Sequence, residues 1–311
     1  MPEATIVQSG EMIDWTADGT YARGTVIQLR DGRAAVTAED MVSGETKGVY
    51  VCGIFECAKT TSMVMLIGSQ LFWDYSANKA HLLHGGDRDF LLGTAEEDAT
   101  SAATTVRVNL NKQPVYSASL GQGFETKIVQ TAGFPYAGGC GQGAHAAFSA
   151  TAEVQKSDAL GIRGVVPAAI AIVDCLINIV TAPDNAAVDI NVGIANATHA
   201  SDADSITESL FIHIDGNSAN INAESDDGAT EVASTDTTDD YAANTPFLVQ
   251  WDLRNTSDIQ LYINGVNRLP SSVFKLNAAT GPLKPLLHIE KTSDDSPGAV
   301  FASIGIRGAQ V

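Results

Sequence analysis

Apolar and polar residues alternate in short runs along most of the chain. The runs are bounded by Gly, Asn, Asp and Ser, the pattern of β-strands joined by turns. In the first third this pattern predicts strands at Thr5–Gln8, Thr25–Leu29, Arg33–Thr37, Lys47–Phe55, Gln70–Asp74, Lys79–Leu82, Phe90–Thr94 and Thr105–Leu110. Asp31-Gly32 and Ser76-Ala77-Asn78-Lys79 carry tight-turn chemistry between them. The run Val49–Phe55 alternates weakly, so that strand is expected to be buried on both faces. From Asn111 the chain becomes rich in Gly, Ser, Gln and Ala, which sets a domain boundary near residue 112 and an irregular connector over 113–145.

Residues 146–311 return to the β pattern. Strands are expected at Ala146–Val154, Gly164–Ile172, Cys175–Thr181, Ala187–Ile194, Leu210–Ile214, Phe247–Leu253, Gln260–Ile263, Val266–Leu269, Lys284–Lys291 and Val300–Ile306. Asp189, Asn191 and Gly193 alternate with Val188, Ile190, Val192 and Ile194, which places the polar set on one face. Asn264-Gly265 is a type I′ hairpin signal. One short helix is expected over Asp202–Glu208, capped by Ser201 or Asp202. The acidic stretch Asn222–Asp240 reads as a solvated loop or hairpin tip. The fold class that follows is all-β, with a small first domain at 1–112 and an antiparallel jelly-roll or sandwich domain at 146–311.

Charge narrows the function. The 311 residues carry 18 Lys+Arg against 37 Asp+Glu, a net charge of −19. Nucleic acid as partner is not expected, because phosphate recognition needs a basic footprint. Membrane binding is not expected either: an anionic leaflet repels this charge, and no apolar run approaches a transmembrane span. The N-terminus shows no signal-peptide pattern, so synthesis in a host cytoplasm is expected. Residues 113–311 hold 22 of the 37 carboxylates, and Asn222–Asp240 holds seven of them with no Lys or Arg. That segment is expected to face solvent, since unpaired burial of carboxylates is costly.

Motifs for chemistry are absent. The histidines His81, His84, His145, His199, His213 and His288 form no metal-binding spacing and read as surface or turn residues. Cys52, Cys57, Cys140 and Cys175 are too sparse for a disulfide scaffold and lack the paired spacing of a zinc site. There is no nucleophile elbow and no Walker loop, and Gly138–Gly143 neither follows a clear strand nor opens a helix. No catalytic residue, cofactor or metal ligand is assigned, and the chain is read as a non-enzyme. Trp251 alternates with Val249 and Leu253 and is placed in the core of the second domain.

Several stretches of residues 5–110 fall in a familiar order. They are Thr5-Ile6-Val7-Gln8-Ser9-Gly10, Ile13-Asp14-Trp15-Thr16, Gly24-Thr25-Val26-Ile27, Val49–Cys57, Gly68–Asp74, Leu92-Gly93-Thr94-Ala95 and Val106–Leu110. In these the domain resembles the capsid cement, or head-decoration, proteins of tailed phages. The resemblance implies a small barrel-like β-tulip on the outer capsid surface, commonly trimeric, with the major capsid protein as partner and the virion as location. Cys52 and Cys57 depart from the small, apolar and Pro-like residues expected there. The extended start, Met1–Gln8, is then an arm, and Pro2, Thr5, Ile6, Val7 and Gln8 are the expected capsid or neighbour contacts. More loosely, Leu210–Asn217, Asn222–Gly228, Asp258–Gly265 and Leu283–Lys291 resemble the concanavalin-like jelly rolls appended to phage structural proteins. That leaves a carbohydrate-binding adhesin, with a glycan as ligand of the second domain, as the alternative function.

Overall fold

The computed structural model describes residues 11–86, 88–120, 126–130, 144–148, 153–159, 164–182, 187–199, 201–292 and 298–308. The chain divides into two compact units, Met1–Val115 and Tyr116–Val311. Among the described residues helix is confined to two single 3₁₀ turns, and the rest of the regular structure is strand.

The first unit contains β1 (Met12–Thr16), β2 (Val26–Gln28), β3 (Ala34–Thr37), β4 (Thr46–Tyr50), β5 (Ile54–Ala58), β6 (Gln70–Asp74), β7 (Lys79–His81), β8 (Phe90–Ala95) and β9 (Thr105–Leu110). They form two antiparallel sheets, ordered β1-β4-β3-β2 and β5-β9-β8-β6-β7. Ala17, Ile27, Leu29, Ala35, Met41, Val49 and Val51 form the core under the first sheet. Leu71, Trp73, Leu92, Val106, Val108 and Leu110 are buried in the second. Asn111 ties the end of β9 to the other sheet. Its side chain accepts from the Ala34 amide at 2.9 Å and donates to the Ala34 and Val51 carbonyls at 2.9 Å each.

Three expectations change here. Lys47–Phe55 is not one doubly buried strand. Gly53, at φ +122°, holds a backbone conformation that an L side chain rarely adopts, and it hands the chain from β4 to β5 in a different sheet. Ile54 is consequently 59% exposed. The expected barrel is two open sheets, because β5 and β7 approach only through the single Lys59–Ala80 bridge and the ladder goes no further. Finally, β1 was not anticipated. Its alternation is poor, and it forms by pairing with β4 from Met12 opposite Tyr50 to Thr16 opposite Thr46.

The second unit is a sandwich of two seven-stranded antiparallel sheets. Its strands are β10 (Ala118–Leu120), β11 (Thr126–Gln130), β12 (Ala144–Phe148), β13 (Glu153–Ala159), β14 (Ile170–Thr181), β15 (Val188–Ala195), β16 (Glu208–Asp215), β17 (Asn220–Asp227), β18 (Glu231–Asp240), β19 (Phe247–Asp252), β20 (Gln260–Ile263), β21 (Val266–Arg268), β22 (Lys284–Lys291) and β23 (Gly298–Gly308). One sheet runs β10-β23-β14-β19-β20-β21, with β12 also on β23, and the other runs β11-β13-β22-β15-β16-β17-β18. Alternate residues of both, including Val173, Cys175, Ile177, Val249, Trp251 and Ile304 from the first and Ile190, Val192, Ile212, Ile221 and Ile289 from the second, meet in one core. Trp251 stacks edge-on against Phe274, with ring centroids 5.1 Å apart. Asn264 and Gly265 have φ of 50° and 77°, the type I′ turn that joins β20 to β21. Three strands, β10, β11 and the start of β12, occupy parts of the stretch read as irregular, because each finds a partner strand: β23 for β10 and β12, and β13 for β11.

Candidate functional site

The expected contact residues Pro2, Thr5, Ile6, Val7 and Gln8 lie outside the described residues. Within the described residues the densest gathering of ionisable side chains is on the second unit, on the face of the β13–β18 sheet that points away from the core.

Register builds this face. Where Val188, Ile190, Val192 and Ile194 of β15 point into the core, Asp189, Asn191 and Gly193 point out. The row through Asn191 reads His288 on β22, Asn191 on β15, His213 on β16, Asn222 on β17 and Asp236 on β18. Flanking rows bring Glu290, Asp189 and Asp215 on one side, and Leu286, Gly193, Phe211 and Glu224 on the other. At Gly193 a Cβ would lie 2.0 Å from the Leu210 carbonyl oxygen, so only glycine lets β16 come this close.

A 3₁₀ turn, Ala203–Ser205, supplies one more acid. Asp202 caps it, accepting from the Asp204 amide at 3.0 Å and from the Ser205 hydroxyl at 2.7 Å. Ala203 and Ile206 seat the turn on Ala195, Phe211 and Leu286. Asp204 is thereby held at the edge of the row, with its side chain 43% exposed.

His213 sits at the centre and is buried. Its Nε2 donates to Asp215 Oδ1 at 3.1 Å, and Asp189 Oδ1 lies 3.2 Å from the same nitrogen. Its Nδ1 is 3.4 Å from both Asp204 Oδ1 and Glu224 Oε2. The Asn191 amide nitrogen donates to Asp204 Oδ1 at 2.8 Å and to Glu224 Oε1 at 2.9 Å. Burial alone would lower the His213 pKa, but the surrounding carboxylates of Asp204, Glu224 and Asp189 override it and push it up to about 12. Burial pushes Asp189 up to about 7, and it raises Glu224 as well. Asp189, Asp204 and His213 each present a ligand atom within 4.8 Å of the others, so a cation is one of the species this site can hold.

The sequence reading missed His213 as a site residue. The available signal was three i,i+2 polar pairs, Asp189/Asn191, His213/Asp215 and Asn222/Glu224, each on one strand face. Without the strand order nothing showed that the three lie side by side. The remaining described histidines divide. His81 and His199 accept from nearby backbone amides and His84 contacts the Asp89 carbonyl, as turn residues do. His288 is fully buried within the sheet. Of the two readings of Asn222–Asp240, solvated loop or hairpin tip, the structure gives a hairpin, β17–β18, but not a solvated one throughout: Glu224 and Asp227 are buried, and Ile221 and Ala223 lie in the core. Its other carboxylates lie mostly on β18, an edge strand, where charge blocks further pairing.

The fold defines a two-unit, all-β protein whose second unit is a jelly-roll-like sandwich. Residues 7–110, almost the whole first unit, match the family model described as phage cement protein. No curated protein matches the chain. Among solved structures, similarity is found to the alginate lyase AlgAT5 of polysaccharide lyase family 7, with 14% identity, 55% of this chain and 80% of that chain covered, and a TM-score of 0.37. The Emp46p carbohydrate recognition domain in its potassium-bound form is similar at 7% identity over 60% of this chain and 89% of that one, TM-score 0.40. The carbohydrate-binding module CBM66 from Bacillus subtilis is similar at 10% identity over 56% and 91%, TM-score 0.33. Likenesses this distant decide neither ligand nor activity.

Proposed function

We propose that this protein is a structural virion component, a decoration protein that binds the outer surface of a phage head and stabilises its lattice. The observation that carries the proposal is the match of residues 7–110 to the phage cement protein family. Its partner is the major capsid protein, and its work is binding rather than catalysis. A protein that binds only the assembled shell stabilises that shell by mass action. A homotrimer would add multivalency, since each engaged copy raises the local concentration of the next. The N-terminal arm, with Pro2 and Thr5–Gln8, is the proposed strand-adding contact. The test is co-sedimentation of the full chain with capsids that lack it. Binding is expected, and deletion of residues 1–8 should weaken it. Failure of the full chain to co-sediment would remove the proposal.

A second reading, a glycan-binding domain displayed by the second unit, is favoured by one observation. Asp204, Asp215 and Asp236 are exposed along a face otherwise built of buried amide, imidazole and carboxylate groups, the hydrogen-bonding partners that sugar hydroxyls use. A glycan array on the full chain tests it, and an array without signal would exclude it.

A further inference from the structure

The spacing around His213 is that of ligands about a common centre rather than of hydrogen-bonded partners. A charge-assisted N–H···O bond is about 2.7–2.9 Å long. His213 Nδ1 instead stands 3.4 Å from Asp204 Oδ1 and 3.4 Å from Glu224 Oε2. Nitrogen and oxygen ligands bound at about 2.0–2.2 Å to one ion are roughly 3.0 Å apart in octahedral and 3.5 Å in tetrahedral geometry. The amide head of Asn191 completes the set, 2.8 Å from Asp204 Oδ1, 2.9 Å from Glu224 Oε1 and 3.4 Å from His213 Nδ1.

A second observation points the same way. Asn191 is fully buried, and its Oδ1 has no hydrogen-bond partner although its nitrogen touches two carboxylates. A buried orphan acceptor is rare in folded proteins. With a cation bound, turning the planar amide by 180° would exchange its two N–H···carboxylate bonds for a ligand oxygen at the point where Asp204, Glu224 and His213 Nδ1 converge. The other edge of the imidazole is arranged as a metal-bound histidine requires. Nε2–H goes to a carboxylate, Asp215, with Asp189 beside it, which fixes the ring and the tautomer.

We propose that His213 Nδ1, Asp204, Glu224 and the Asn191 amide oxygen bind one first-row divalent cation, of the Mn²⁺ or Zn²⁺ kind. The imidazole nitrogen sets that class, since Ca²⁺ and Mg²⁺ favour all-oxygen shells. A divalent cation displaces the Nδ1 proton to solvent on binding and offsets the negative charge of the four carboxylates around the imidazole. The half-exposed Asp204 gives the ion a path from solvent. The inference concerns the second unit alone and stands independently of capsid binding.

The test uses the full chain, stripped with chelator and titrated calorimetrically with Mn²⁺, Zn²⁺, Ca²⁺ and Mg²⁺. One Mn²⁺ or Zn²⁺ is expected per chain, with weaker Ca²⁺ and Mg²⁺ binding and a rise in melting temperature on loading. Asp204→Asn, on a turn that Asp202 caps, should fold as the wild type does and bind at least about tenfold more weakly. Asp239→Asn, which lies outside the cluster, should leave affinity unchanged. X-ray absorption at the zinc edge of the wild type gives an answer that needs no variant. Oxygen neighbours and an imidazole signature are expected. Absence of stoichiometric binding, preference for Ca²⁺, affinity indifferent to Asp204→Asn, or a sulfur ligand would each overturn the proposal.

Discussion

Replacing Arg307 by Met would destabilise the second unit by leaving a buried carboxylate without its ion-pair partner. On the face of the β14 sheet away from the core, Arg307 Nε lies 2.7 Å from Asp174 Oδ2 and its Nη2 donates to Asp174 Oδ1 at 2.9 Å. Gln250 donates to the same Oδ1 at 2.8 Å. The two charged side chains are only 7% and 12% exposed, so water contributes little to either charge. Removing one partner from such a pair costs about 3–5 kcal/mol, mostly because the remaining charge stays buried. Arg307→Met and Asp174→Ala should therefore each lose about 3–5 kcal/mol. The double variant Asp174→Leu/Arg307→Met removes both charges and should lie within about 2 kcal/mol of the wild type. Urea unfolding at pH 7, followed by far-ultraviolet circular dichroism and tryptophan fluorescence, reads all four proteins. The reasoning is refuted if either single variant stays within about 1 kcal/mol of the wild type, or if the double variant loses the sum of the singles.

Three further outcomes follow from the same structure. Gly93→Ala would place a Cβ 2.1 Å from the Asn109 carbonyl oxygen, a backbone clash with no flexible neighbour to yield; a loss above about 3 kcal/mol is expected in the first unit, together with lost capsid co-sedimentation. Glu208 accepts from the Thr280 and Gly281 amides at 2.9 Å each and from Asn196 at 2.8 Å. Partial burial would raise its pKa, but these donors outweigh it and the net shift is downward. Its contribution is therefore present above the usual glutamate range and is lost as pH falls through the depressed value, so Glu208→Gln should cost about 1–2 kcal/mol at pH 7 and converge with the wild type in acid denaturation. Burial raises the Cys57 thiol to about 11, so at pH 8 a thiol reagent should label exposed Cys52 well before Cys57; equal rates would contradict the buried β5 position.

What the sequence determined by itself is local. Period-two alternation identified β15 and β22 because each buries one face in a large core, and Asn264-Gly265 identified its hairpin because a type I′ turn demands positive φ at both positions. The short turn near Asp202 was legible from its cap, as was Trp251 in the core from its spacing with Val249 and Leu253. The motif order in residues 5–110 carried the family resemblance that the match over 7–110 bears out. Tertiary structure decided the rest. Whether Val49–Phe55 is one strand or two depended on which sheet each half could join, and β17 and β18 are strands because Ile221 and Ala223 reach a core their acidic neighbours conceal. The His213 cluster draws on Asp189, Asn191, Asp204, His213, Asp215 and Glu224, spread over three strands and a capped turn. No local pattern ranks those carboxylates above the other acids of the chain. Only the strand order β15-β16-β17, with the 3₁₀ turn folded onto its outer face, places them around one imidazole, because hydrogen-bonded pairing brings side chains together irrespective of their distance along the chain.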